Sequence, residues 1–228
     1  MNKSILCIIF LIATLFSSSI PYATATDNPR SSWAIQALAK KSNGTLRVEW
    51  NENTNTPSLI TGALSRPSKH SPSWITYEFL KQVKSSYGIR NPNRDIKVIE
   101  VERGHDLIKV RTQHLLFGTP VWGDWLDVSM DHKGVIRRVE GTIHPKLEKQ
   151  LFNRPMQPAF SKKKAIKKAK DGFQGKLAAE PKVNMYYLTS LPGTPLIYVV
   201  ELQYHSPNRT TSTMIHSLSG RIIKQSIQ

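Results

Sequence analysis

The side chains that could do chemistry in this chain are few, and their spacing limits what they can do. Seven histidines stand at positions 70, 105, 114, 132, 144, 205 and 216. A zinc peptidase helix needs His-Glu-x-x-His, which sets two imidazoles on one helical face with a base between them. No two histidines here are four apart, so each reads as a surface or turn residue rather than a metal ligand. The single cysteine, Cys7, lies in an apolar leader. Beyond that leader there is no thiol for catalysis, disulfides or a Cys-based zinc site. No Gly-x-Ser-x-Gly elbow lifts a serine above a sheet, and no glycine-rich phosphate loop precedes a helix. Asp124 and Asp127 are three apart in a strand-like run. They face opposite sides, cannot work as an acid–base pair, and read as solvated acids. Trp122 and Trp125 are divided in the same way, which argues against a shared sugar-stacking platform. Trp122 is expected in the core and Trp125 under a helix or linker. No catalytic residue, metal ligand or cofactor is expected, and the chain should not be an enzyme.

What remains is charge. The 228 residues carry 32 Lys and Arg against 16 Asp and Glu, a formal charge of +16. Lys162, Lys163, Lys164, Lys167, Lys168 and Lys170 crowd one short segment around a narrow apolar stripe of Ala165, Ile166, Ala169 and Phe173. That segment is either the wet side of an amphipathic helix or a face for an anionic partner. Cell-wall polymers, lipid headgroups and acidic proteins all fit such a charge. No nucleic-acid motif accompanies it, so nucleic acid is not an expected partner.

The elements that must position these residues begin after a leader. Lys3, the apolar run "ILCIIFLIATLF" at 5–16 and the small-residue site at 23–25 read as a signal peptide over 1–25, cut between Ala25 and Thr26. The apolar run is too short to span a bilayer, and no membrane-spanning segment follows. An exported chain without disulfides fits a bacterial protein that is secreted, either free or bound to the cell wall.

The stretch "SWAIQALAKKS" at 32–42 suggests one or two helical turns with Trp33, Ala37 and Leu38 inward, followed by two short strands near 44–50 and 58–64. Ser71 or Ser73 caps a clear helix. Pro72 stands in its first turn, Ile75, Phe79, Leu80 and Val83 form its apolar stripe, and Gly88 stops it. A four-stranded meander follows at 96–101, 107–116, 121–130 and 135–143. In it Ile108, Val110 and Leu116 share one face, and Trp122, Leu126, Val128 and Met130 share another. "FGTP" and "DHKG" make the turns between strands. The Pro-rich stretch 144–158 reads as a boundary. Ser161 then caps the lysine-rich helix, and strands follow at 183–189, 196–204, 210–216 and 221–227. The fold class is α+β: two tandem cystatin-like units, each an antiparallel sheet of about four strands on one helix. The units are expected at 26–150 and 161–228, with a linker at 151–160.

The meander carries a recognisable pattern. Arg111 and Gln113 lie on one strand. Gly118, Pro120, Val121, Trp122 and Gly123 then form a Gly-x-Pro-Val-aromatic-Gly turn. Leu126 and Val128 follow, then Asp131 and Gly134 in an Asp-x-x-Gly turn, then Val139 and Gly141. This resembles the propeptide module shared by fungalysin and thermolysin precursors (the FTP domain). The second half resembles the PepSY module that follows it there, through the lysine-rich helix, "PLIYVVEL" and "IHSLSGRIIK". The usual Asp and Ala of the last turn stand here as His216 and Leu218.

In that family the paired modules precede a zinc metallopeptidase domain, assist its folding and block its cleft. The resemblance implies a secreted, non-catalytic, propeptide-like chain that serves as inhibitor or chaperone of a thermolysin-type metallopeptidase. Lys162, Lys163, Lys164, Lys167 and Lys168 are candidate partner contacts by their charge, and the resemblance adds Ile227 and Gln228 at the end of the last strand. Two other readings stay open: a truncated peptidase precursor with no present task, and a cationic module that binds an anionic cell-envelope polymer.

Overall fold

A computed structural model describes residues 32–171, 173, 175–205 and 208–227. The leader and its cleavage site at Ala25 and Thr26 lie outside the described residues, as does Gln228. The chain is α+β, with a large, mostly antiparallel sheet and few helices. Its elements are α1 (Trp33–Lys41), β1 (Arg47–Asn51), β2 (Thr56–Thr61), α2 (Pro72–Tyr87), α3 (Pro92–Asp95), β3 (Ile96–Arg103), β4 (Leu107–Leu116), β5 (Thr119–Asp131), β6 (Ile136–Thr142), α4 (Leu147–Gln150), α5 (Lys162–Lys170), β7 (Lys182–Tyr187), β8 (Leu196–Tyr204), β9 (Arg209–His216) and β10 (Ile222–Ile227).

α2 forms where its caps dictate. Ser71 Oγ accepts a hydrogen bond from Trp74 N at 3.3 Å, Pro72 opens the first turn, and Gly88 closes the helix at φ +64°. Its stripe of Ile75, Phe79, Leu80 and Val83 is buried against Ile60, Val110, Leu126, Val128, Met130 and Val139. Each such fully buried side chain contributes about 1.5–3 kcal/mol. α1 lies on α2 with Ala34 and Leu38 buried. Trp33 was expected inward but is exposed, because the helix turns its Ala34–Leu38 side to the core.

The strands run in the order β1-β2-β6-β5-β7-β8-β9-β10, with β4 on β5 and β3 on β4. The first half therefore holds six strands rather than about four, because β2 extends the meander by pairing with β6 (Ile60 opposite Val139). The second half has the expected four, with α5 laid on β8. There Ala165 and Ala169 pack with Tyr198, Val200, Leu202 and Ile215. The halves meet at one parallel pairing, Val121 with Tyr187. A small core of Leu116, Val121, Leu147, Leu151, Tyr187 and Leu196 surrounds this join. α4 and Leu151 belong to that core, so the Pro-rich stretch is anchored at its start.

Candidate functional site

The densest set of polar side chains sits where β5 changes partners. Past Trp125, β5 lies between β4 and β6, with Trp125 opposite both Gln113 and Thr142. Before it, the register on β4 jumps, and the next pair is Leu115 with Pro120. Residues 121–124 form a bulge that releases β5 from β6 and delivers Val121 to β7. Gly123 makes the bend at φ +81°. Gln113 fastens it: Nε2 donates to the carbonyl oxygens of Val121 and Asp124, both at 2.8 Å, and to that of His114 at 3.1 Å.

Asp124, which shares the inward parity of Leu126 and Val128, points into the protein, where it is fully buried. Its carboxylate accepts from His114 Nδ1 at 2.8 Å, His144 Nδ1 at 2.6 Å and the His144 backbone N–H at 2.8 Å. Burial alone would raise its pKa, but the hydrogen bonds from His114 and His144 outweigh that and hold the carboxyl below its ordinary range. The same carboxylate raises His144, against the opposing effect of its partial burial. His114 is buried too and forms part of the wall of a cavity of about 470 Å³ with Ile89, Leu116, Lys146 and Leu147.

Three residues further on, on the other face of β5, Asp127 sits under a cationic cover. Arg111 donates to it from Nε at 2.9 Å and Nη2 at 2.8 Å, and Lys109 Nζ lies 2.6 Å away. Burial pushes Asp127 up, and these two cations pull it below the usual carboxylate range. The Arg111 guanidinium lies over the Trp125 ring, 5.7 Å from its centroid.

Several expectations fail here. Asp124 and Asp127 are buried rather than solvated, and His114 and His144 pair with a carboxylate rather than sitting in solvated turns. Trp122 and Trp125 are each 38% exposed instead of buried, with Trp122 set edge-on to Tyr186 at 5.0 Å. The bulge shifts the alternation of β5, so Trp122 no longer shares the face of Leu126, Val128 and Met130. For His114 a signal existed. Ile108, Val110 and Leu116 set the inward parity of β4, and position 114 shares it.

The other motif residues hold the frame. Phe117 and Gly118 both have positive φ in the tight turn from β4 to β5. Gly134 ends the Asp131 turn, in which Asp131 Oδ1 accepts from Lys133 N and Val135 N. A Cβ at Gly134 would stand 2.2 Å from Ser68 O, and one at Gly141 2.1 Å from Trp125 O. His216 takes the carboxylate's part in the last turn: its Nδ1 faces Leu218 N and Ser219 N at 3.3 and 3.4 Å. Thus Arg111, Gln113, Val121, Trp122, Gly123 and Gly141 come together around the bulge, while Gly118 and Gly134 mark turns at the two ends of β5.

The α5 lysines are exposed and stand apart from this cluster. Only Lys162 approaches it, across a cleft shared with Gly118, Pro120 and Tyr186. Ile227 pairs with Thr211 at the end of edge strand β10.

Neither His114 nor His144 has a hydroxyl or thiol partner among the described residues. Those residues contain no group of three or more His, Cys, Asp or Glu able to hold a metal ion, and no helix long and apolar enough to cross a membrane.

Comparison with known proteins gives a partial kinship. No family model matches the chain. Bacillolysin of Bacillus cereus is 27% identical over 180 residues, which cover 75% of this chain and 31% of the relative. Thermolysin of Alicyclobacillus acidocaldarius subsp. acidocaldarius is 25% identical over 195 residues, 74% of this chain and 34% of the relative. The chain thus spans about a third of the length of the curated relatives it matches. Among solved structures, the Bacillus megaterium YpeB C-terminal domain aligns over 85% of this chain and 95% of its own, with 13% identity and a TM-score of 0.37. That likeness is too slight to bear on fold or function.

Proposed function

We propose that this chain is a secreted, propeptide-like protein that acts without catalysis on a thermolysin-type zinc metallopeptidase, as inhibitor, folding assistant or both. One observation carries the reading. About three quarters of the chain aligns with only about a third of each peptidase, and these 228 residues contain no His-Glu-x-x-His. Both facts support a shared third that lies outside the zinc-binding helix, and the family pattern around Arg111, Gln113 and Gly141 supports its being the propeptide. In this reading the six-strand and four-strand halves are two tandem units with the boundary near 151–160.

The architecture suits a partner that works by contact. Its polar cluster is spent on holding a bulge, which leaves rigid sheet surface and open edge strands, β10 among them, for docking. The reading is tested by mixing the purified chain with a thermolysin-type peptidase and measuring residual proteolysis, complex formation and the yield of active enzyme on refolding. Inhibition or rescue at micromolar concentration is expected. Absence of binding, inhibition and refolding assistance together would overturn it.

A further inference from the structure

The α5 helix breaks local electrostatic rules along its whole length. Its six lysines all face solvent. Lys163 and Lys167, and Lys164 and Lys168, are like charges four residues apart. Lys164 and Lys167, and Lys167 and Lys170, are three apart. Each such pair weakens a helix. Three of the lysines fill the first turn, which holds no acid, so they also oppose the helix dipole. The nearest acid in sequence, Asp171, is at the C-cap, the end where a negative charge helps least. No ion pair relieves any of the six among the described residues. Residues 161–228 as a whole hold eleven Lys and Arg against three Asp and Glu. A narrow apolar contact, Ala165 and Ala169 with Ile166 beside them, holds the helix on the sheet. Places where a sequence violates local rules without internal compensation are where function is to be sought.

We propose that the lysine face of α5 is a binding surface for a linear, phosphate-bearing polyanion, independently of any peptidase partner. The chemistry of the face selects among anionic partners. The cores of protein interfaces are depleted in lysine and rich in aromatic residues and arginine, and this face offers ammonium groups alone. A membrane-surface helix needs an apolar side to sink between headgroups, but the apolar stripe of α5 is already spent on the sheet. A flexible polymer with a charge on each repeat needs neither. It meets compact ammonium point charges along the roughly 13 Å of a nine-residue helix and gains from releasing counterions.

The test is binding of inorganic polyphosphate to the purified full chain across a salt series. Six contacts give a slope of log K against log salt of about −4, a roughly 300-fold loss between 50 and 200 mM. In Lys163→Gln/Lys167→Gln/Lys168→Gln the slope should fall to about −2. Replacing the same three lysines by arginine should keep it. The control Lys40→Gln/Lys41→Gln/Lys84→Gln, with the same loss of charge elsewhere, should leave it unchanged. The glutamine variant should also melt no lower than the parent, since repulsion is removed. A slope near zero in the parent, an unchanged slope in the α5 variant, or an equal fall in the control would overturn the proposal. So would phosphatidylglycerol vesicles binding as strongly as polyphosphate at equal phosphate, which would make the surface a membrane site.

Discussion

At the scale of single residues, Asp124 and the glycines around it bear the most. Asp124→Asn leaves two imidazoles around a neutral amide in a buried site and should cost about 3 kcal/mol of stability. The pH dependence has a fixed sign. His144 is raised, so its contribution is complete below its ordinary value of 6.5 and fades as pH climbs through its higher folded value. Asp124 is lowered, so its contribution is complete above 3.8 and fades as pH drops through its folded value. Asp127 and Asp131 are lowered as well and share the acid limb. The diagnostic is therefore the alkaline limb: urea melts of the parent should lose stability above pH 6.5, and those of Asp124→Asn should lose much less. Two glycines give a second contrast. Gly141→Ala drives a methyl against Trp125 O and should cost about 3 kcal/mol or more. Gly123→Ala meets open space and bears only the left-handed penalty of about 1 kcal/mol. Thermal melts of the two variants check the order.

At the scale of elements, the caps and stripes were plain in the sequence and the bulge was not. Ser71, Pro72 and Gly88 bound α2 as their chemistry requires, and Ser161 caps α5 through Lys164 N at 3.3 Å. The last three strands were legible to within a residue or so at each end, because "LIYVVEL" and its neighbours alternate between clear turn residues. The partner of β2 was hidden, since a short strand's periodicity says that it pairs but not with which strand. The fault in reading β5 has the same origin. Strict alternation from Val121 to Met130 puts Trp122 and Asp124 on one face with Leu126, Val128 and Met130, so the inward place of Asp124 is legible by parity and the outward turn of Trp122 is not. The positive-φ Gly123 between them reverses Trp122 alone, and nothing in the spacing distinguishes a bulge glycine from a packing one. Gln113 was recognised as a motif position without its task. That task can be measured. Gln113→Leu leaves the carbonyls of Val121 and Asp124 without their donor and should cost about 2 kcal/mol. Amide exchange in the parent should be slow through residues 121–125 and fast there in the variant.

At the scale of the whole molecule, the two halves depend on one narrow join. Tyr187 pairs with Val121, packs among Leu116, Leu147 and Leu196, and takes a hydrogen bond from Met156 N on its hydroxyl at 3.1 Å. Tyr187→Ala should cost about 3–5 kcal/mol and split the calorimetric melt into two transitions, one for each core. A single transition lowered as a unit would instead mean that the halves fold only together. The central proposal is that the molecule works through its surfaces on a thermolysin-type peptidase. The most direct measurement is the steady-state rate of a thermolysin-type peptidase on a peptide substrate as the purified chain is titrated in, with the chain alone assayed in parallel. Saturable loss of proteolysis, or a rise in refolded activity, with no turnover by the chain itself is the expected result. Unaltered proteolysis and refolding at micromolar chain, or hydrolysis by the chain alone, would contradict it.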